Sequence, residues 1–337
     1  MKVAVIAFTQ SGLSLGRKLQ RLMPEDQVSL ACGTGSNKVS LKHWTAEQFS
    51  AADALIFLSA TGIAVRAVAP HLKSKLSDPA VLVVDDRAKF CISLLSGHLG
   101  GANDLARRVS GLLNAVPVIT TATDNHGVFA VDSWAKSQGL VIANPEAVKL
   151  VSAKLLAEKT IRICSDFPIA GRIPDGVVLV NDKPYDVSVT LKPRGAKNVL
   201  YLIPPAAYVG IGCRRDIPQD ALEQAYAMLL SKGSIDPRAV AGACSIDRKA
   251  AEPALLSFCQ ARDLPLSTFS ADQLNAVKGQ FSSSAFVQKT TGTDNVCERS
   301  AVLGSCGGKL FLKKNAGNGV TMAMALRDVT IRFEEES

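Results

Sequence analysis

Between residues 90 and 109 an apolar run, Cys91-Ile92-Ser93-Leu94-Leu95, gives way to Ser96-Gly97-His98-Leu99-Gly100-Gly101-Ala102-Asn103-Asp104 and then to an amphipathic helical pattern. Gly97, Gly100 and Gly101 permit close backbone approach to a ligand. The helix that follows offers unpaired N–H groups and the positive end of its dipole, which together suit a small anion. His98, inside the turn, supplies an imidazole able to titrate near neutrality. The same glycines also suit a tight strand-to-helix connection with Asn103 as N-cap and Asp104 favouring the helix start. This stretch alone leaves both readings open.

Two further loops of the same region pair small or hydroxyl residues with an ionisable group: Ser59-Ala60-Thr61-Gly62-Ile63-Ala64-Val65-Arg66 and Thr120-Thr121-Ala122-Thr123-Asp124. In a parallel sheet the loops after strands gather at the carboxyl edge, so all three are expected to share one crevice. Arg66 can hold a carboxylate bidentately or be a solvated helix residue. Asp124 can orient His98 or act as a base, or it can cap the next helix. Thr121 and Thr123 are more often local helix caps than catalysts.

Farther along, Val209-Gly210-Ile211-Gly212-Cys213-Arg214-Arg215 repeats the strand-then-glycine arrangement. It lacks the third glycine of the dinucleotide fingerprint, so capture of a carboxylate or carbonyl by backbone donors and Arg214 is preferred to nucleotide binding. Thr291-Gly292-Thr293-Asp294-Asn295-Val296-Cys297-Glu298-Arg299 is a glycine turn entering a helix, where Glu298 either binds substrate or stabilises the helix N-terminus. Cys213 and Cys297 are either nucleophiles or buried, inert thiols. His43, His71 and His126 show no metal-ligand spacing, so no protein-bound metal is expected.

Apolar runs of four to seven residues alternating with helical periodicity place these loops on an α/β architecture. Residues 1–143 read as an N-terminal α/β domain, with strands at 3–8, 28–31, 54–58, 81–84, 91–95, 116–119 and 140–142. Asp85-Asp86-Arg87-Ala88-Lys89 reads as a hairpin that makes one strand antiparallel. Residues 144–203 form a smaller strand-rich middle region interrupted by prolines, Pro204-Pro205 reads as a linker, and 206–333 form a C-terminal α/β domain. The expected fold is thus two α/β sandwich domains with mostly parallel sheets, joined by the middle region.

The chain has 337 residues, 47% of them hydrophobic and 20% charged, an ordinary globular balance. Its net charge of +8 suits an acidic partner. Aromatics at 5% and scattered basic pairs supply few stacking platforms, so a small polycarboxylate is preferred to nucleic acid. Eight cysteines without a C-x-x-C pair suggest a reducing cytoplasm, and no run of about 18 apolar residues suggests a membrane span.

In this order, S-A-T-G-I-A-V-R at 59–66, L-L-S-G-H-L-G-G-A-N at 94–103, T-T-A-T-D at 120–124, V-G-I-G-C-R-R at 209–215 and V-C-E-R-S-A at 296–301 resemble the cobalt-precorrin-5A hydrolase family (CbiG) of oxygen-independent cobalamin biosynthesis, over nearly the whole chain. The resemblance implies water-dependent opening of a δ-lactone and release of acetaldehyde from cobalt-precorrin-5A to give cobalt-precorrin-5B. The cobalt arrives in the substrate and no cofactor is needed. A cytoplasmic enzyme of this kind would bind no nucleic acid or membrane and would make only transient contact with neighbouring pathway enzymes. In that chemistry His98, aligned by Asp124, is expected to activate water. Thr61, Gly62, Arg66, Gly97, Gly100, Gly101, Asn103, Thr121, Gly210, Gly212, Arg214 and Glu298 are expected to contact substrate. The competing expectation is a non-catalytic protein that holds and hands over a tetrapyrrole.

Overall fold

The apolar run Lys2–Ala7 forms strand β1, and the chain then alternates as the hydrophobic pattern requires: α1 (Gln10–Leu22), β2 (Gln27–Cys32), α2 (Leu41–Ala51), β3 (Ala54–Leu58), α3 (Thr61–Val68), β4 (Ala80–Val84), β5 (Phe90–Leu95), α4 (Ala102–Leu113), β6 (Val116–Val118) and α5 (Val131–Ser137). The computed structural model describes residues 1–35, 38–74, 77–97, 100–121 and 128–333. It divides into one unit of Met1–Lys136 with Leu155–Ala157 and a second of Ser137–Lys154 with Glu158–Ser337.

In the first unit the strands lie in the order β2-β1-β3-β4-β5-β6. Side chains alternate across the sheet: Val3, Val5, Ile56 and Leu82 pack with Leu19 of α1 and Leu105 and Val109 of α4, while Ala4, Ile6, Phe57 and Val83 pack with Trp44 of α2 and Ala64 and Val68 of α3. Both faces are therefore covered, as mostly parallel sheets require. Each large side chain so buried contributes roughly 1.5–3 kcal/mol relative to exposure.

The expected hairpin at 85–89 is present, with β4 antiparallel to β5 and β6 parallel to β5. Its consequence overturns the expected single crevice. Val81 lies beside Leu95 and Val84 beside Cys91, so the loops after β5 and β6 emerge at the amino edge of β1, β3 and β4. The 59–66 loop stays at the carboxyl edge, where Ser59 N–H donates to Val84 O. Strands of five residues separate the two edges by about 15 Å.

The second unit holds two larger sheets. The first is built from β7 (Val141–Ile142), β8 (Ile161–Ser165), β10 (Val177–Leu179), β11 (Val187–Val189) and β12 (Leu200–Ile203), in the order β10-β8-β11-β12-β7, with α6 (Val148–Leu156) between β7 and β8 in sequence. A short strand, β9 (Ile169–Ala170), lies between β8 and β10 in the chain. The strand expected at 140–142 in the first domain thus pairs antiparallel with β12 instead.

Then follow β13 (Ala207–Cys213), α7 (Gln219–Gly233), β14 (Val240–Ile246), α8 (Pro253–Gln260), β15 (Leu266–Phe269), α9 (Ala271–Ala276), α10 (Ala285–Thr291), α11 (Cys297–Gly304), β16 (Lys309–Gly317), β17 (Val320–Leu326) and β18 (Ile331–Arg332). Their sheet runs β15-β14-β13-β17-β16, and β18 pairs with β9. Leu191 and Ile203 share one buried cluster with Val209, Ile211, Leu229 and Phe258, so the two sheets have a common core. Pro204, read as part of a linker, is itself buried. Among the described residues no helix is long and apolar enough to cross a membrane.

Candidate functional site

In the first unit the turn after β5 closes on itself. Ala102 N–H donates to Ser96 O at 3.1 Å and Asn103 N–H to Gly97 O at 3.0 Å. These two amides at the start of α4 are therefore taken up internally, which corrects the expectation of an open helix N-terminus. The N-cap is Gly101 at φ 81°, not Asn103. A Cβ on Gly100 would lie 2.2 Å from Ser96 Cβ, and one on Gly97 would lie 2.7 Å from Asn103 Oδ1, so tight packing explains both glycines.

Asn103 is buried inside α4. Ser93 Oγ–H donates to its Oδ1 at 2.7 Å, and its Nδ2 donates to Thr121 Oγ1 at 3.0 Å. The loop after β5 and the segment after β6 are thereby tied together at one edge. His98 and Asp124, expected to act as a pair, lie outside the described residues.

At the opposite edge Thr61 and Gly62 begin α3, whose N-cap Ala60 makes no side-chain cap bond. Arg66 is exposed and its Nη1 donates to Gly62 O at 3.1 Å, folding the guanidinium back along its own helix. Thr61, Gly62 and Arg66 are therefore not brought together with Gly97, Gly100, Gly101, Asn103 and Thr121. The carboxyl edge carries instead a loop that sequence reasoning passed over, Phe8–Gly12, where Gly12 N–H donates to Thr9 Oγ1 at 2.9 Å and caps α1. Its signal was the hydroxyl-rich Thr9-Gln10-Ser11-Gly12 immediately after the first strand.

The second unit presents a cavity of about 760 Å³ at the carboxyl ends of β13 and β14. Gly212, Cys213 and Arg214 line it after β13, Arg248 and Lys249 after β14, and Ala316–Gly319 from the β16–β17 hairpin. Its walls include Ile246, Val287, Val296 and Phe286, the last 78% exposed. Five cationic residues, Arg214, Arg215, Arg248, Lys249 and Lys314, face one acid, Glu252.

Two of these cations are engaged within the protein. Lys249 Nζ pairs with Glu252 at 2.6 Å and donates to Arg214 O at 3.0 Å, and Arg248 Nη1 donates to Thr290 O at 2.6 Å. Arg214 lies against Gly319, where a Cβ would come within 2.9 Å of its Cδ, so the glycine makes room for the guanidinium. A basic rim around apolar walls can hold a flat ring bearing several carboxylates. The sequence reading found Gly212 and Arg214 but missed Arg248, Lys249, Lys314 and Phe286. Arg248-Lys249 carried a usable signal, because they follow a strand just as Arg214-Arg215 do.

Gly210 and Glu298 turn out to be scaffold. A Cβ on Gly210 would lie 1.8 Å from Cys297 O, so the glycine lets α11 seat against β13. Glu298 is fully buried. Its carboxylate accepts Ser282 N–H at 2.7 Å, Ser282 Oγ–H at 2.9 Å, Asn295 Nδ2–H at 3.0 Å and Lys314 N–H at 2.7 Å, which corrects its assignment to substrate. Several donors thus replace the hydration that the buried carboxylate gives up.

Cys297 is buried, and burial pushes its thiol up to about 11, which makes it a poor nucleophile. Burial likewise raises the Cys213 thiol at the cavity wall. Among the described residues no three His, Cys, Asp or Glu side chains gather as a metal set.

The cobalamin synthesis G N-terminal family matches residues 43–124, and the cobalamin synthesis G C-terminus family matches residues 207–325. The chain is 34% identical to cobalt-precorrin-5A hydrolase of Salmonella typhimurium over 348 residues, covering 96% of this chain and 97% of that protein. It is 30% identical to cobalt-precorrin-5A hydrolase of Priestia megaterium over 360 residues, covering 96% and 94%. A solved structure of a cobalamin biosynthesis protein G homologue from Sulfolobus solfataricus aligns over 97% of both chains with 23% identity and a TM-score of 0.40. With both halves matched in chain order and relatives aligned nearly end to end, the chain belongs to the cobalt-precorrin-5A hydrolase family, CbiG.

Proposed function

We propose that the protein is a cobalt-precorrin-5A hydrolase that adds water to the substrate's δ-lactone and expels a two-carbon unit as acetaldehyde, leaving cobalt-precorrin-5B. The observation that carries this reading is the 34% identity to the Salmonella typhimurium hydrolase over 97% of its length. The basic cavity of the second unit supports it independently, since the macrocycle combines apolar faces with a rim of acetate and propionate groups. Arg214 is assigned to those carboxylates, and Lys314, Arg215 and Phe286 join it as lining residues of the same cavity.

In the proposed chemistry His98, oriented by Asp124, takes a proton from water as the oxygen attacks the lactone carbonyl. The ring-opened product is a carboxylate and an alcohol. Removal of the alcohol proton forms the aldehyde C=O while the adjacent C–C bond breaks, and its electron pair enters the conjugated ring. The Asn103–Thr121 hydrogen bond supports pairing these two residues, because it joins the chain segments that bear them. Gly100 and Gly101 N–H groups remain as the proposed donors to the developing oxyanion. Cobalt travels with the substrate, and no further cofactor enters the scheme. Eight free cysteines support a reducing, cytoplasmic setting.

The test is incubation with authentic cobalt-precorrin-5A, following acetaldehyde and the mass of the corrinoid. Stoichiometric acetaldehyde with the mass of cobalt-precorrin-5B is expected. Tight binding without aldehyde would overturn the enzyme and leave a hand-over protein.

A further inference from the structure

A sheet of parallel strands ordinarily buries apolar side chains on both faces. In the first sheet of the second unit one face breaks that rule. Cys164 of β8, Ser188 of β11 and Tyr201 of β12 are register partners, so three polar side chains form one rank across adjacent strands. The reason lies in the connection from β10 to β11. Residues 180–186 cross this face without a helix, and Cys164 Sγ–H donates to Asn181 O at 3.5 Å while Arg162 Nη1 donates to Pro184 O at 3.5 Å. A crevice of about 520 Å³ remains, with the polar rank as its floor. It shares no residue with the cavity that holds Arg214.

Two donors on that floor have no acceptor among the described residues. Ser188 is only 7% exposed, and its hydroxyl makes no hydrogen bond to a described residue. Tyr201, 3% exposed, accepts Ala196 N–H at 3.3 Å, but its own O–H proton has no protein partner among the described residues. Both hydroxyls line the crevice, so each is a donor left open to whatever acceptor enters it. Lys183 and Arg194 line the same crevice and make no ion pair with a described residue, whereas Lys192 lies over the Phe311 ring; of the two acids in the lining, Asp166 accepts the Thr190 hydroxyl at 2.5 Å and Asp182 precedes Lys183 in the chain, so three cations face two carboxylates. The crevice also sits where the chain leaves the carboxyl ends of β8, β10 and β11, the usual ligand edge of such a sheet.

We propose that this crevice is a second ligand site, which takes a small free carboxylate on the hydroxyls of Ser188 and Tyr201 with Arg194 and Lys183 as counter-charges. A carboxylate arm of the macrocycle has the same chemistry, so the test must separate the two sources. Succinate and glutamate are titrated calorimetrically into the full chain, with uroporphyrin as the polycarboxylate ring probe. At least one of the two small acids should bind with saturation. Ser188→Ala should weaken that binding about 10- to 100-fold, the usual range for a hydrogen bond to a charged group. Arg194→Gln should weaken it similarly and steepen no salt dependence.

Ser188→Ala removes an unpaired hydroxyl, so its thermal midpoint without ligand should not fall, and a loss of binding cannot then be attributed to unfolding. Arg214→Ala should leave succinate or glutamate binding unchanged, which separates this site from the proposed substrate cavity. Absence of saturable binding by both acids, unchanged affinity in Ser188→Ala, or a Ser188-dependent response to uroporphyrin alone would each overturn the proposal.

Discussion

Each of the two units interrupts parallel strands with a hairpin, and in the second the hairpin helps to build a cavity. In the first unit the turn at 85–89 falls at the carboxyl edge, and the reversed β5 then delivers Ser96, Gly97 and the start of α4 to the opposite edge. In the second the β16–β17 turn itself falls beside the carboxyl end of β13, with Val320 opposite Cys213, so Ala316–Gly319 join Gly212–Arg214 around one cavity. Counting strand reversals, and not merely finding glycine turns after strands, decides which loops can share a ligand. In the proposed mechanism, proton chemistry falls to the first unit and carboxylate capture to the second.

The largest test of that division is His98→Ala, for which acetaldehyde release should fall by about 10²- to 10⁴-fold, the range for loss of a general base. Affinity for the macrocycle, measured by absorbance titration, should stay within a few-fold of the parent. A near-normal rate would remove the first unit from the chemistry as drawn.

Next comes Gly210→Ala, where the added methyl would overlap Cys297 O. Destabilisation of at least about 1–3 kcal/mol is expected for such overpacking, read by urea unfolding, and the loss should fall in the second unit. Gly62→Ala at the edge of α3 meets only the flexible Arg66 Nη1, at 3.2 Å, and should be nearly silent.

Arg214→Ala and Lys314→Ala should each raise the Kd for the macrocycle by roughly tenfold or more, with kcat retained, and the double variant should flatten the salt dependence of binding. An unaltered Kd in both would dissociate this cavity from substrate carboxylates.

The smallest effect is alkaline. Burial pushes the Cys244 thiol up to about 12 and the Cys259 and Cys297 thiols up to about 11 in the second unit, against Cys91 at about 11 in the first. The unfolded chain releases these protons near pH 9, so their contribution is intact below about pH 9 and is lost as the pH rises toward 11. Thermal midpoints measured from pH 8 to 10.5 should therefore fall, and Cys297→Ala should lessen the slope.

Much of the molecule was legible from residue order. The alternation of apolar runs with helical periodicity announced strands and helices that are present, including the 85–89 hairpin and α11, because burial of one face is a local, periodic requirement. The basic Gly212–Arg214 segment was likewise visible as a turn leaving a strand. Glu298 was misassigned because sequence cannot show that Ser282, Asn295 and the Lys314 amide converge on its carboxylate from separate segments. Phe286 gave no signal at all, since its importance rests on exposure beside a cavity and not on periodicity.

By itself the sequence determined the α/β class, the family, and the identity of the turns rich in glycine and charge, all of which follow from local pattern and motif order. Only the tertiary structure decided which turns meet. Strand direction is set by pairing between distant segments, and one antiparallel step moves a loop from one edge of a sheet to the other while leaving every local motif unchanged.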